Sequence, residues 1–257
     1  MVKGLYTAAT GMINEQRRVD VLANNLANAS TNGYKAEGST SEAFKDVLAY
    51  KIKDYSEPMS SKRLGPMNMG VKIGETYTDF SEGSFYSTDG PYDMAIEGNG
   101  FFAVEFSNKA GETTTMYTRA GDFIPNTNGE LVNKNGDFVL DKNGKHIIVD
   151  PLLDSTMGSD GTIYQNGNAV GTVGVFDFTD YNYLEKYGET YYKALDGATA
   201  KDFYGSVRVG MLEASNVQTA KEMVNLISYQ RAYETNQKMI QAHDDTLSTA
   251  VNDLGKV

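Results

Sequence analysis

The chain has 257 residues and a formal net charge of −11 at neutral pH. This charge argues against nucleic acid as a partner, because phosphate binding requires clustered lysine and arginine. With no cysteine, the chain can form neither a disulfide framework nor a thiolate metal site. Its apolar runs are a few residues long, far short of the roughly 20 needed to cross a bilayer. The opening segment also lacks the solid apolar stretch of a cleaved signal peptide. We therefore expect neither a membrane-inserted helix nor such a peptide.

The first predicted element is a long amphipathic helix from residue 4 to about residue 29. Apolar residues recur every seven positions, with a second row of small or apolar residues beside them. The two rows are Leu5, Met12, Val19 and Leu26, and Ala8, Leu22 and Ala29. Such a narrow seam is typical of helices that pack on other helices. Because asparagine is a poor helix former, Asn24, Asn25 and Asn28 indicate either a frayed helix end or amides that bond to neighbouring helices.

A second long helix is predicted from Val217 to Leu254. Its seven-residue row and the companion row predicted beside it are Leu226, Tyr233, Ile240, Leu247 and Leu254, and Met223, Gln230, Gln237, Asp244 and Val251. Polar residues in a seam cost stability but fix register and the number of neighbours. We therefore expect the terminal helices to pair weakly in one molecule and to order mainly when other subunits add further faces. The alternative is that they fold back on the β domain predicted between them or form a simple dimer.

Residues 34–76 are predicted to form a linker that contains a short helix. The sequence Ser39-Thr40-Ser41-Glu42 has the form of a helix cap. Phe44, Val47, Leu48 and Ile52 follow it at helical spacing. Tyr55 to Met69 contains two prolines and little periodicity, so we expect an extended connection there.

From about Tyr77 to Leu212 the hydrophobic period changes to two, which indicates β-strands. The short β-branched or aromatic segments are 102–106, 116–119, 131–133, 137–140, 146–149, 162–164, 172–178 and 206–211. Four Asn-Gly dipeptides separate several of them, at Asn128, Asn135, Asn143 and Asn166. Asn-Gly favours two-residue type I′ hairpin turns, since both residues then need positive φ. The pattern predicts a compact antiparallel β domain, with a longer surface loop from Tyr181 to Gly197.

The sequence predicts no catalytic, cofactor or metal site. Asp141-Lys142-Asn143-Gly144 begins like a calcium loop but lacks the alternating acidic ligands and the distal glutamate. Gly98-Asn99-Gly100 lacks the third glycine of a dinucleotide fingerprint and precedes a strand. His146 and His243 lack the spacing of zinc ligands. Paired carboxylates are expected by chance among 34 acidic residues and remain open as acid–base groups.

Several motifs, in a fixed order along nearly the whole chain, resemble those of the bacterial flagellar rod and hook protein family. Near the start and the end they are Gly4–Met12, Asn24–Lys35, Ser215-Asn216-Val217 and Gln230–Asn236. In the centre they are Asp93–Phe102 and Tyr117–Phe123. Each motif alone is weak evidence, whereas the ordered set is specific.

The resemblance implies an α+β fold, with long N- and C-terminal helices that pair as a coiled-coil-like layer and a central, mainly antiparallel β domain. It implies a structural subunit that polymerises helically into the hollow basal-body rod, transmits torque from motor to hook and lets later subunits pass through its channel. The expected partners are further copies of the chain, other rod and hook subunits and the flagellar type III export apparatus. The expected location is the flagellar basal body, reached without a cleaved signal peptide.

The expected domains are residues 1–33 and 213–257 as the helical rod core, 34–76 as the linker and 77–212 as the β domain. The expected subunit-interface residues are Leu5, Met12, Val19, Leu22, Asn24, Asn25, Leu26, Asn28, Met223, Leu226, Gln230, Tyr233, Gln237, Ile240, Leu247 and Val251. The segment Leu212–Val217 favours a distal-rod subunit. Tyr34–Met69 departs from that pattern and leaves a proximal-rod or hook-like subunit as the alternative. A secreted glycan-acting enzyme or binding module is the alternative from another class.

Overall fold

A computed structural model describes residues 2–51, 62–108 and 111–252. A long helix stands at each end of the chain, α1 (Val2–Ala27) and α2 (Thr219–Asn252), with antiparallel strands between them. The predicted α+β class is therefore confirmed. The chain divides into two compact units. Unit 1 comprises Met1–Ala27, Glu37–Asp79 and Gln218–Val257, and unit 2 comprises Asn28–Ala36 and Phe80–Val217.

The helices of unit 1 differ in how much they bury. In α1 the side chains of Ala8 and Leu22 are buried, as the predicted seam requires. Helix α2 extends over 34 residues without a single buried side chain. Because a long helix gains most of its stability from the face that it packs, α2 obtains little from its own chain.

The described residues of 37–51 and 62–78 in unit 1 form a two-stranded ribbon. Its strands are β1 (Glu37–Ala43), β2 (Val47–Lys51), β3 (Lys62–Met67) and β4 (Val71–Thr78), with β1 paired to β4 and β2 to β3, both antiparallel. The predicted short helix over Phe44–Ile52 is therefore wrong where the structure describes it. Thr40, predicted to belong to a helix cap, instead exchanges side-chain hydrogen bonds with the backbone of Glu75, at 3.0 and 3.2 Å. Ile52 and residues 55–61 of the predicted connection lie outside the described residues.

Two buried asparagines attach this ribbon to α1. Asn25 donates from Nδ2 to the carbonyl of Glu37 at 2.8 Å and accepts from the Glu37 N–H at 2.9 Å. Asn14 Nδ2 donates to Ser41 Oγ at 3.0 Å. Asn25 lies within α1 and is buried, so it does not belong to a frayed end, and the bonds to Glu37 give it a contact that sequence analysis did not predict. Its amide bonds to the backbone of Glu37 in β1, and these backbone groups would otherwise lack a partner.

Unit 2 contains sixteen short strands among its described residues. They are β5 (Phe85–Ser87), β6 (Met94–Glu97), β7 (Phe101–Ser107), β8 (Thr113–Thr118), β9 (Ile124–Pro125), β10 (Leu131–Val132), β11 (Phe138–Val139), β12 (Ser155–Met157), β13 (Thr162–Gln165), β14 (Asn168–Thr172), β15 (Val175–Phe178), β16 (Leu184–Tyr187), β17 (Tyr191–Ala194), β18 (Ala200–Lys201), β19 (Ser206–Val209) and β20 (Met211–Glu213). The largest sheet runs β16-β17-β8-β7-β11-β10-β9, and β15 pairs with both β7 and β18. Smaller sheets are β12-β13-β14, β19-β6 and β20-β5.

Strand β7 is the centre of unit 2 and is covered on both faces. Successive side chains of a strand point to opposite faces, yet Phe101 and Phe102 are both fully buried. Phe102 packs in one cluster with Phe123 and Ile163, and Phe101 in another with Tyr192. The Tyr181–Gly197 segment, predicted to be a loop, instead forms the β16–β17 hairpin after a 3₁₀ turn at Tyr181–Tyr183. Tyr181 and Tyr192 of this segment complete the second cluster.

Only one of the four Asn-Gly dipeptides forms the predicted type I′ turn. Asn166 and Gly167 both have positive φ, 51° and 79°, and join β13 to β14. At the other three, the glycine alone has positive φ. An earlier side chain organises those turns instead. Asn126 Oδ1, for example, accepts from the N–H groups of Asn128 at 2.8 Å and Glu130 at 3.0 Å.

Within the described parts of the chain, no helix is at once long enough and apolar enough to span a membrane.

Candidate functional site

The paired helices of unit 1 meet along a repeat that sequence analysis missed. Gly4 faces His243, Gly11 faces Asn236 and Arg18 faces Tyr229. Each step of seven residues forward on α1 thus corresponds to seven residues backward on α2. The helices are therefore antiparallel and pair in heptad register.

Two glycines of this row permit a close approach. A Cβ atom placed on Gly4 would lie 2.6 Å from His243 Nε2, and one on Gly11 would lie 3.0 Å from Asn236 Nδ2. Glycine inside a helix costs about 0.5–1 kcal/mol relative to alanine. The seven-residue spacing of the two glycines was visible in the sequence. It does not appear in the apolar seven-residue pattern, because glycine has no side chain.

The third contact of the row is polar and specific. Arg18 Nη2 donates to Tyr229 Oη at 2.5 Å, and the guanidinium carbon lies 3.9 Å from the centre of the Tyr229 ring. Arg18 Nη1 also lies 3.4 Å from Glu15 Oε1. A cation over an aromatic face is attracted by its quadrupole. Arg18 therefore adds a directional contact to an otherwise weakly apolar seam.

The predicted companion row of α2 does not face α1. Met223 is 51% exposed and Val251 is 70% exposed, and Gln230, Gln237 and Asp244 are also exposed. The row that faces α1 contains Tyr229, Asn236 and His243, three residues after each member of the main row. Leu226, Tyr233, Ile240 and Leu247 are half-buried, as expected for that main row. The two rows on either side of the main row are equally spaced from it, so spacing alone does not show which of them faces α1.

A groove of about 560 Å³ follows the edge of the helix pair. Its walls are formed by polar and apolar side chains from both helices. They are Gln16, Val19, Gln230, Tyr233, Glu234 and Gln237.

Unit 2 contains a buried ionic cluster. Glu213 accepts from Lys35 Nζ at 2.5 Å and from Arg119 Nη1 at 3.3 Å. All three side chains are at least 97% buried. Burial lowers the pKa of Lys35 below its ordinary value, and the Glu213 carboxylate partly offsets that effect. Buried charges require partners of this kind.

Backbone groups complete the cluster. Lys35 Nζ donates to the Ser81 carbonyl at 2.7 Å, Gly83 N donates to Glu213 Oε1 at 2.9 Å, and Arg119 Nη2 donates to the Gly98 carbonyl at 2.7 Å. The chain segments themselves are joined by a hydrogen bond of 2.8 Å from Gly33 N to the Glu213 carbonyl. Gly33, with φ of 66°, has no room for a Cβ beside Ala120 N.

The motifs that suggested a family therefore converge. The last residues of Asn24–Lys35, the arginine of Tyr117–Phe123 and the segment before Val217 meet in one buried polar junction. Asn216 belongs to it as well, since its Oδ1 accepts from Ala36 N at 2.8 Å. No local pattern predicts a structural role for these residues, because their contacts are 94 to 180 residues apart along the chain.

Two of the residues considered as candidates for chemistry make contacts with neighbouring side chains and backbone groups. His146 Nε2 is 2.9 Å from Glu105 Oε2, and its ring stacks on Phe138. Asp141, at the start of the calcium-like segment, accepts from Lys142 N at 2.6 Å and from Asn143 Nδ2 at 3.0 Å. Among the described residues, no group of three or more His, Asp or Glu side chains is arranged to hold a metal ion.

Comparisons with known proteins agree with this architecture. Three family profiles match, described as "Flagella basal body rod protein" at residues 5–35, "Flagellar hook protein FlgE/F/G D1 domain" at 95–165 and "Flagellar basal body rod FlgEFG protein C-terminal" at 208–254. The flagellar basal-body rod protein FlgF of Caulobacter vibrioides is 35% identical over 259 residues, covering 100% of both chains. The flagellar hook-basal body complex protein FlhO of Bacillus subtilis is 34% identical, also over the whole of both chains.

The flagellar basal-body rod protein FlgG of Bacillus subtilis is 32% identical over 98% of this chain and 99% of its own length. Identity at this level along entire chains shows common descent and a common architecture. Family members assemble with other rod and hook components in the flagellar basal body. The chain thus belongs to the bacterial flagellar rod and hook protein family, as a structural subunit of the basal-body rod and not an enzyme.

Proposed function

We propose that copies of this chain polymerise helically into a hollow shaft that carries torque from motor to hook and leaves a channel for later subunits. The observation that carries this proposal is the apolar surface that α2 presents away from α1. Met223, Val224 and Ile227 are 51%, 67% and 49% exposed and are adjacent on the first turns of α2. An exposed apolar cluster on a helix of a protein that assembles is a natural contact surface.

We assign the outward-facing members of the predicted interface to contacts between subunits. These are Asn24, Met223, Gln230, Gln237 and Val251. The groove between Val19 and Gln237 extends the same surface and has the size to receive side chains of a neighbouring helix. Leu22, Asn25 and Asn28 are buried within their own chain and act there. The remaining half-buried members serve the intramolecular seam and would be covered further on assembly.

The terminal helices order fully only on assembly. This is supported by the absence of buried side chains along all 34 residues of α2 and by the polar seam of Arg18, Asn236 and His243. Loose ends would suit passage through a narrow channel, since a segment that buries little apolar surface cannot offset its ordering entropy alone. We propose the flagellar type III export apparatus, without a cleaved signal peptide, as the export route.

The charge-insertion variant Met223→Asp tests this proposal. Sedimentation velocity and electron microscopy of concentrated protein would compare it with wild type and with Ser228→Asp, which adds the same charge at another exposed position of α2. We expect Met223→Asp to suppress assembly and motility with no change in the thermal unfolding of unit 2. Filaments of Met223→Asp indistinguishable from wild type would contradict the assignment.

The place of the subunit along the rod requires a genetic test. Relatives named FlgF and FlgG match over nearly their whole lengths, at 35% and 32% identity. We propose a distal-rod position, with a proximal-rod or hook-like position as the alternative. Deletion of the gene followed by microscopy of the residual basal body distinguishes them, because a distal subunit leaves a proximal rod segment in place.

A further inference from the structure

The four Asn-Gly dipeptides share one chemical liability but are restrained differently. The backbone nitrogen of a residue that follows asparagine can attack the side-chain carbonyl, and glycine shields that nitrogen least because it has no side chain. The attack requires a free glycine N–H and an asparagine amide that can rotate towards it. Hydrogen bonds to either group oppose the reaction.

Three of the dipeptides are restrained by such hydrogen bonds. Gly129, Gly136 and Gly144 donate their N–H groups to the carbonyls of Asn126, Asn133 and Asp141 at 3.0, 3.0 and 2.9 Å. Two of the asparagine amides are held as well. Asn135 Nδ2 donates to Tyr191 Oη at 2.8 Å, and Asn143 Nδ2 donates to Asp141 Oδ2 at 3.0 Å.

The fourth dipeptide, Asn166-Gly167, has neither restraint. Both residues occupy the tip of the β13–β14 hairpin and are exposed. Among the described residues, the Gly167 N–H and the Asn166 side chain make no hydrogen bond. Asn128 is intermediate. Its amide makes no hydrogen bond within the part of the chain that the structure describes, but the N–H of Gly129 is bonded and Gly129 is buried.

We propose that Asn166 is a site of spontaneous, non-enzymatic deamidation in the folded protein. The Gly167 nitrogen loses its proton to hydroxide and forms a bond to Asn166 Cγ. The Cγ–Nδ2 bond breaks, ammonia leaves, and a five-membered succinimide remains. Water then opens the ring at either carbonyl, giving aspartate or isoaspartate. No oxidant or reductant takes part.

The product changes the hairpin in a defined way. Either product adds a negative charge at the turn, and isoaspartate also inserts one extra carbon into the main chain. A two-residue turn fixes the register of its strands, here Gln165 opposite Asn168. Strand β14 is the outer strand of its sheet and pairs only with β13 among the described strands. Isoaspartate at position 166 therefore loosens β14, and the converted fraction rises with the age of the molecule.

Peptide mapping by mass spectrometry tests the proposal on the full-length protein. The native chain and the same chain in denaturant would be incubated in mildly alkaline buffer and sampled over time. The three other Asn-Gly dipeptides serve as internal controls with the same reacting residues. Labelling by an isoaspartyl methyltransferase would separate isoaspartate from aspartate.

In the native protein we expect Asn166 to convert roughly 2- to 10-fold faster than Asn128, the factor that one hydrogen bond is worth. Asn135 and Asn143, with two restraints each, should be slower still. In denaturant the four rates should converge. If Asn166 and Asn135 deamidated at the same rate in the native protein, the proposal would be overturned. A rate difference between the four sites that persists in denaturant would also overturn it.

Discussion

Gly11 of α1 lies directly against the side-chain amide of Asn236 of α2. A Cβ on Gly11 would meet Asn236 Nδ2 at 3.0 Å. The neighbouring heptads place Gly4 at His243 and Arg18 at Tyr229. A slip of one heptad would still put glycine against a polar side chain but would separate Arg18 from Tyr229. Polar seam residues therefore select the register that apolar residues alone leave undefined.

Engineered cysteines test that register. The natural chain has no cysteine, so any disulfide comes from the introduced pair. We expect Gly11→Cys with Asn236→Cys to form an intramolecular disulfide under mild oxidation, because the two positions face each other. Mass spectrometry of the non-reduced protein measures the bond.

The matched control is Gly4→Cys with Asn236→Cys. Its residues lie one heptad out of register, about 10 Å along the axis, which exceeds the ~7 Å limit for Cα atoms joined by a disulfide. Equal cross-linking of the two pairs would show that the helices have no fixed register.

The buried ionic cluster of unit 2 predicts a large effect of Glu213→Gln. The change leaves Lys35 and Arg119 buried without their shared carboxylate, which should lower the free energy of unfolding by about 3–5 kcal/mol. Urea unfolding followed by near-ultraviolet circular dichroism measures it.

Glu97→Gln provides the control for the same chemical change on the surface. Glu97 pairs with Arg208 at 2.6 Å, but both side chains are more than 40% exposed. We expect a much smaller change there. Similar losses for the two variants would mean that the buried cluster contributes no more than a surface ion pair.

From the raised pKa of Tyr191 we predict how the stability of unit 2 changes at alkaline pH. Burial raises the pKa of Tyr191 well above its usual value of 10, and its hydrogen bond to Asp137 at 2.5 Å acts in the same direction. Above pH 10 the unfolded chain loses this proton while the folded chain keeps it. The stabilisation is therefore complete below pH 10 and is lost as pH rises towards the folded-state pKa.

Tyr191→Phe isolates this contribution. At neutral pH the variant should be less stable by about 1.5–3 kcal/mol, because the Asp137 carboxylate loses the phenol donor. Asn133 Nδ2 still donates to that carboxylate, at 3.1 Å. The difference from wild type should shrink progressively above pH 10. The lowered pKa of Lys35 changes stability with pH in the opposite direction. Because this contribution is the same in the variant and in wild type, it cancels when the two are compared at each pH. A gap that is constant with pH would contradict the assignment.

The sequence predicted the two helices and the antiparallel centre because their signals are local and strong. Seven-residue apolar spacing and repeated Asn-Gly both act within a few residues. Prediction from the sequence failed where the local structure depends on contacts with residues far away in the chain. Thr40 in a strand and the buried Asn25 near the end of α1 are explained only by their partners Glu75 and Glu37. The Tyr181–Gly197 hairpin was missed because it has no simple alternation of apolar and polar residues. The consecutive Tyr191 and Tyr192 are both buried, in two different clusters.

The helix-facing row was missed for a related reason. A single heptad row has two equally spaced neighbours, and the apolar Met223 and Val251 favoured the one that does not face α1. The small residues Gly4 and Gly11 carried the relevant information, since they mark where another backbone approaches. The buried junction at Lys35, Arg119 and Glu213 could not be predicted without homologues or structure, because nothing local distinguishes these charges from surface ones.

Hydrogen–deuterium exchange along α2 tests the central claim most directly. The account predicts fast exchange of residues 219–252 in dilute monomer, slow exchange after assembly, and slow exchange in the centre of unit 2 under both conditions. Protection of α2 in dilute monomer equal to that of β7, with no dependence on concentration, would contradict it.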